Sequence, residues 1–97
     1  MIRQRWYFEG NVQGVGFRVS VKAISERYDV RGFVRNEQDG RVKVEVQGSR
    51  AELDAFRSAI ERAFDFRIDH VTAVEISAQS MQDQEKGFSI LYYCRIS

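Results

Sequence analysis

Hydrophobic residues along this chain change period in a fixed order, and that order admits few folds. From Ile2 to Glu9 the chain alternates, with Ile2, Gln4, Trp6 and Phe8 set against Arg3, Arg5, Tyr7 and Glu9. That is a strand pattern rich in aromatics. A glycine-punctuated stretch follows from Gly10 to Gly16, turn-prone rather than regular. Phe17, Val21, Ile24 and Tyr28 then recur at helical spacing, with Arg18, Lys22, Ser25 and Arg27 elsewhere on the wheel. An amphipathic helix therefore starts just after Gly16 and is expected to end near Asp29, a residue type tolerant of left-handed backbone. Val30 to Glu37 and Arg41 to Gln47 read as strands, and Asp39-Gly40 between them signals a hairpin. Ser49-Arg50-Ala51-Glu52 has the capping-box pattern and opens a second helix with an inner stripe of Leu53, Phe56, Ile60 and Phe64. Thr72, Val74 and Ile76 mark a fourth strand, and Phe88, Ile90 and Tyr92 an additional one at an edge.

The order is β-α-β-β-α-β plus a C-terminal edge strand. Two split β-α-β units of this kind give an α+β, ferredoxin-like sandwich, an antiparallel sheet with both helices on one face. Ninety-seven residues suit one domain spanning residues 1–97, and at that size every amphipathic segment is needed for the core. The balance of 43% hydrophobic and 30% charged residues is globular, not disordered. A net charge of +1 argues against a general nucleic-acid binder but leaves room for a local anion site. Cys94 is the single cysteine, so no internal disulfide and no zinc-ligand spacing is present, and no metal or other cofactor is expected. Met1 to Gly10 mixes Arg3, Arg5 and Glu9 with its apolar residues and has no signal-peptide core. No stretch approaches the length of a membrane span, so the cytoplasm is the expected compartment.

Chemistry concentrates in Gly10-Asn11-Val12-Gln13-Gly14-Val15-Gly16-Phe17-Arg18, between a strand and a helix. Glycines let backbone N–H groups converge on one point, and the helix adds unpaired N–H groups and the positive end of its dipole. Arg18, in the first turn, presents a planar fork suited to two oxygens of a tetrahedral anion. The loop fits neither the Walker pattern nor a dinucleotide fingerprint. Taken alone it also fits a plain strand-to-helix turn with a solvated arginine.

A second element, Gly32-Phe33-Val34-Arg35-Asn36 followed by Asp39-Gly40, Val42 and Gly48, stands at the next strand. The two elements, with fourteen residues from Arg18 to Gly32, resemble the paired signatures of the acylphosphatase family, and the resemblance covers essentially the whole chain. It implies hydrolysis of acyl phosphates without a metal. By that similarity, Arg18 and the backbone N–H groups of Gln13, Gly14, Val15, Gly16, Phe17 and Arg18 bind the phosphoryl group, and Asn36 holds the attacking water. A substrate phosphate oxygen would take the water's proton, consistent with the lack of His, Asp or Glu at the required places. Val19 and Ser20 depart from the aromatic that often follows the arginine, Asp29 from a common glycine, and the chain lacks the family's frequent proline after the second helix.

Other residues take blander roles. His70 is read as a strand-entry residue, Cys94 as an edge-strand thiol, and Glu37 and Asp39 as hairpin formers. Of Trp6, Tyr7 and Phe8, core packing is expected, with an outward ring as a candidate lining for an acyl pocket. An RNA-binding module of the same element order needs exposed aromatics on its third strand, where this chain reads Arg-Val-Lys-Val-Glu-Val-Gln. A metal chaperone of this fold needs paired cysteines. The remaining alternative is a non-catalytic domain that binds phosphate or carbamoyl phosphate. The expected partner is a small-molecule acyl phosphate, with no nucleic acid, no membrane and a monomeric chain.

Overall fold

The computed structural model describes residues 1–79 and 87–91. In chain order it contains β1 (Ile2–Gly10), α1 (Phe17–Ser25), β2 (Val30–Asn36), β3 (Val42–Gly48), α2 (Arg50–Ala63), β4 (Ile68–Ile76) and β5 (Phe88–Leu91). The strands form one sheet in the order β4-β1-β3-β2-β5. β1 pairs antiparallel with both β3 and β4, and β3 antiparallel with β2, which is the ferredoxin-like arrangement.

The fifth strand corrects one detail, because β5 runs parallel to β2 and the sheet is mixed. The reason is where the chain leaves β4. Ile76 lies opposite Arg3, at the end of the sheet where β1 begins. Gly87 enters at that same end, its carbonyl accepting from Gly32 N–H at 2.9 Å. A strand that enters at the end where β1 and β2 begin must then run with β2. Tyr92 and Cys94 lie outside the described residues, so the expectations for them do too.

Alternation places Trp6 and Phe8 of β1, Val30 and Val34 of β2, and Val42, Val44 and Val46 of β3 on one face, all buried. Both helices cover that face. Phe17 of α1 packs edge-on against Phe8 at 5.4 Å, and Phe56 of α2 meets Trp6 at 5.6 Å and Phe88 at 5.4 Å. Tyr7 points the other way, beneath the Arg41 guanidinium at 4.0 Å.

Helix α1 stops at Ser25, four residues before the expected end. Tight i to i−3 bonds from Glu26, Arg27 and Tyr28 N–H finish the turn. Asp29 does not take a left-handed conformation, and its N–H donates to Glu52 Oε1 at 2.7 Å. The capping box is thereby half made. Ser49 Oγ accepts from Glu52 N–H at 3.2 Å, while the Glu52 carboxylate ties α2 to the start of β2.

The face without helices carries an unexpected burial. Arg3, which alternation assigns to the solvent side, is 1% exposed. Glu45 takes Arg3 Nη2 at 3.2 Å and Arg5 Nε at 3.0 Å. Beside it the Gln47 amide holds the backbone of Gln79 through bonds of 2.7 and 2.9 Å, so Gln79 lies against this face. Burial pushes the Glu45 carboxyl up, but hydrogen bonds from Arg5 and Arg3 outweigh it and hold the group below its usual range.

A carboxylate depressed in the folded state adds stability that is complete above its unfolded pKa and is lost as pH falls through the folded value. The stability gap between the native chain and Glu45→Gln is therefore expected to narrow as pH falls from about 5 to about 2. Urea midpoints across that range measure it, and parallel curves would refute the assignment.

Candidate active site

The C-terminal ends of β1 and β2 lie at one end of the sheet, and the loop leaving β1 turns there into α1. Val12 is fully buried and roots this loop in the core. Gly14 and Gly16 have φ of 75° and 79°, the left-handed region. A Cβ at either would meet nothing within 4 Å, so the demand is conformational, not steric. Gly16 is also the N-cap of α1, where no side chain accepts from the helix amides and no acidic residue occupies the first turn. Among the described residues, none of the amides of residues 13–17 donates to another protein group. The result is a cluster of open N–H groups at the positive end of a helix.

Asn36 reaches this place by alternation. It shares the helix-covered side of β2 with Val30 and Val34 but is the last residue of the strand. Its side chain therefore clears the core and meets the start of α1. Arg18 and Asn36 line one cavity of about 90 Å³ together with Gly14, Gly16, Phe17 and Val19. That is room for a few water molecules or one small oxyanion. Asn36 lines this cavity, and its Oδ1 is buried without a hydrogen-bond partner. Native proteins rarely leave a buried acceptor unmet, so an orphan at the wall of a cavity marks a place for a donor from outside the chain. The half-buried Arg18 guanidinium reaches across to β5, with Nη1 donating to Leu91 O at 3.3 Å.

A larger depression of about 520 Å³ lies along α2, beside Ser58, Glu61, Arg62 and Asp65. Its two carboxylates against one arginine make it a poor anion site, despite its size. Among the described residues no group of His, Cys, Asp and Glu side chains is placed to hold a metal ion. The acids nearest in sequence to Asn36 are engaged within the hairpin. Glu37 takes Arg35 Nε at 3.0 Å, and Asp39 takes Arg41 N–H at 3.1 Å and Arg41 Nε at 2.8 Å. Hydrogen bonds from the Arg41 backbone and side chain hold the Asp39 carboxyl below its ordinary value.

The structure thus gathers Gly14, Gly16, Phe17, Arg18 and Asn36 around one cavity, with Val15 half-buried against the core. Gln13 does not line the cavity. Its side chain leaves the cavity and donates to two carbonyls of the β2–β3 hairpin. Sequence reasoning missed that side chain because a lone glutamine among glycines belongs to no periodic pattern that would show where it points.

An acylphosphatase family model matches residues 4–90. An acylphosphatase of Bacillus velezensis is 35% identical over 92 residues, covering 95% of this chain and 100% of that one. The crystal structure of acylphosphatase from Bacillus subtilis superposes with a TM-score of 0.83 at 30% identity, over 95% of this chain and 100% of the other. HypF from T. kodakarensis gives a TM-score of 0.78 at 28% identity, with 94% of this chain matching 12% of that much longer one. No helix among the described residues is long and apolar enough to cross a membrane. With the match running from β1 to β5 and the Bacillus velezensis acylphosphatase covered end to end, the chain belongs to the acylphosphatase family, hydrolases of acyl phosphates.

Proposed function

We propose that the cavity at the start of α1 is where this chain hydrolyses the carboxyl–phosphate bond of an acyl phosphate. Arg18 and the main-chain amides of Gln13, Gly14, Val15, Gly16, Phe17 and Arg18 hold the phosphoryl oxygens. Asn36 orients a water for in-line attack. The water oxygen bonds to phosphorus as the bond from phosphorus to the carboxyl oxygen breaks, and the water's proton passes to a phosphoryl oxygen. The products are a carboxylate and inorganic phosphate. A carboxylate leaves readily without protonation, so positioning and charge stabilisation suffice. The observation that carries this reading is that Asn36, whose buried Oδ1 has no partner, lines the same cavity as Arg18. An amide fixes a water by accepting and donating without ionising.

The likeness to a small part of HypF favours one other reading, a domain that binds phosphate or carbamoyl phosphate without turning it over. Phosphate release from benzoyl phosphate or acetyl phosphate in the presence of EDTA separates the two. Full turnover with the chelator present is expected. Tight phosphate binding without release would overturn the enzymatic reading. With it go a free small molecule as partner, a monomeric chain and a cytoplasmic setting.

A further inference from the structure

The Gln13 side chain makes two short hydrogen bonds, with Nε2 donating to Glu37 O at 2.8 Å and to Arg41 O at 2.9 Å. These carbonyls are the two that close the hairpin. Glu37 O also accepts from Gly40 N–H at 3.2 Å, and Arg41 O accepts from Glu37 N–H at 2.8 Å. A primary amide has two N–H donors and a carbonyl two lone pairs, so the arrangement uses both in full. Among the described residues no other hydrogen bond joins residues 11–16 to residues 36–41. The point of attachment is one residue from Asn36.

We infer that Gln13 is a positioning residue whose side-chain amide sets the gap between the phosphate-binding loop and Asn36. The inference rests on the proposed reaction at this cavity. Asn36 stands on β2 and Arg18 on α1, while the loop runs from β1 to α1, so it can shift without β2 or α1 moving. The Gln13 amide joins that loop to the end of β2. In-line attack tolerates little error in this gap, and a displacement of about 1 Å can cost on the order of a hundredfold in rate. Arg18 and the first amides of α1 do not depend on the clasp, so phosphate binding should survive its loss better than turnover does.

Gln13→Ala is expected to lower kcat by roughly ten- to a hundredfold while the inhibition constant for inorganic phosphate rises only a few-fold. Gln13→Glu adds a readout that a structural role would not move. An ionised carboxylate offers no donor to two carbonyls, whereas the protonated acid offers one. The ratio of its kcat to that of the native chain should therefore climb as pH falls from about 8 to about 5. The hairpin's own charges, Arg35 with Glu37 and Asp39 with Arg41, are paired with each other and are present in both proteins, so they cancel in the ratio. Circular dichroism at each pH confirms that the variants are folded.

Native kcat in Gln13→Ala, a ratio flat with pH in Gln13→Glu, or loss of activity only in proportion to unfolding would each overturn the inference. Arg18→Ala in the same assay tells its failure from failure of the site. An inactive Arg18→Ala beside a fully active Gln13→Ala removes the clasp alone. Turnover by Arg18→Ala removes the proposed site, and the clasp with it.

Discussion

Arg18→Ala is expected to lose nearly all hydrolysis of benzoyl phosphate, a fall in kcat/KM of more than about a thousandfold. That corresponds to at least about 4 kcal/mol of transition-state stabilisation. Two features make so large a loss reasonable for one surface-reaching side chain. Arg18 lines the cavity, and the first turn of α1 carries no acidic residue. Its fork can also meet two phosphoryl oxygens at once as negative charge redistributes among them. Arg18→Lys should recover little, because an ammonium is a point charge without that planar geometry. Phosphate inhibition should disappear together with turnover. Retention of either in Arg18→Ala, with the protein folded, would remove the arginine from the site.

Asn36→Ala should separate what Arg18→Ala removes together. Affinity for inorganic phosphate is expected to stay near the native value while kcat falls by about 10² to 10³, the usual effect of losing one preorganised polar contact. Stability provides an independent check. Asn36 Oδ1 is buried without a partner, and an unmet acceptor costs a folded chain about 1–3 kcal/mol. Removing it should leave the urea midpoint unchanged or raise it, as often happens where a residue is kept for activity rather than packing. Loss of phosphate inhibition in Asn36→Ala would mean that the amide binds the phosphoryl group rather than the water. A lowered midpoint with full activity would make it structural.

How far these assignments were legible in advance varied with how local their cause was. Val42, Val44 and Val46 announce β3 because a period of two is written into adjacent residues, and Leu53, Phe56 and Ile60 announce α2 in the same way. Alternation even carries Asn36 to the helix side of β2. Arg18 followed from standing two residues past a glycine that can end a loop and begin a helix. Non-local effects were hidden. The burial of Arg3 depends on chain that arrives over seventy residues later at Gln79, packed beside Gln47. The parallel run of β5 depends on the end of the sheet at which Gly87 enters, beside Gly32. The early stop of α1 leaves the Asp29 amide to Glu52, a residue of another helix. In each case a partner distant in sequence overrides what the neighbouring residues prefer.

The sheet has two unlike poles. One bears the glycine loop, the start of α1 and the close of the hairpin, while the other is where Ile76 ends β4 and Gly87 leads into β5. A substitution at that far end, as at Gln79, acts on the Gln47 and Arg3 cluster and so on stability, whereas one of equal size at the first pole acts directly on the reacting groups.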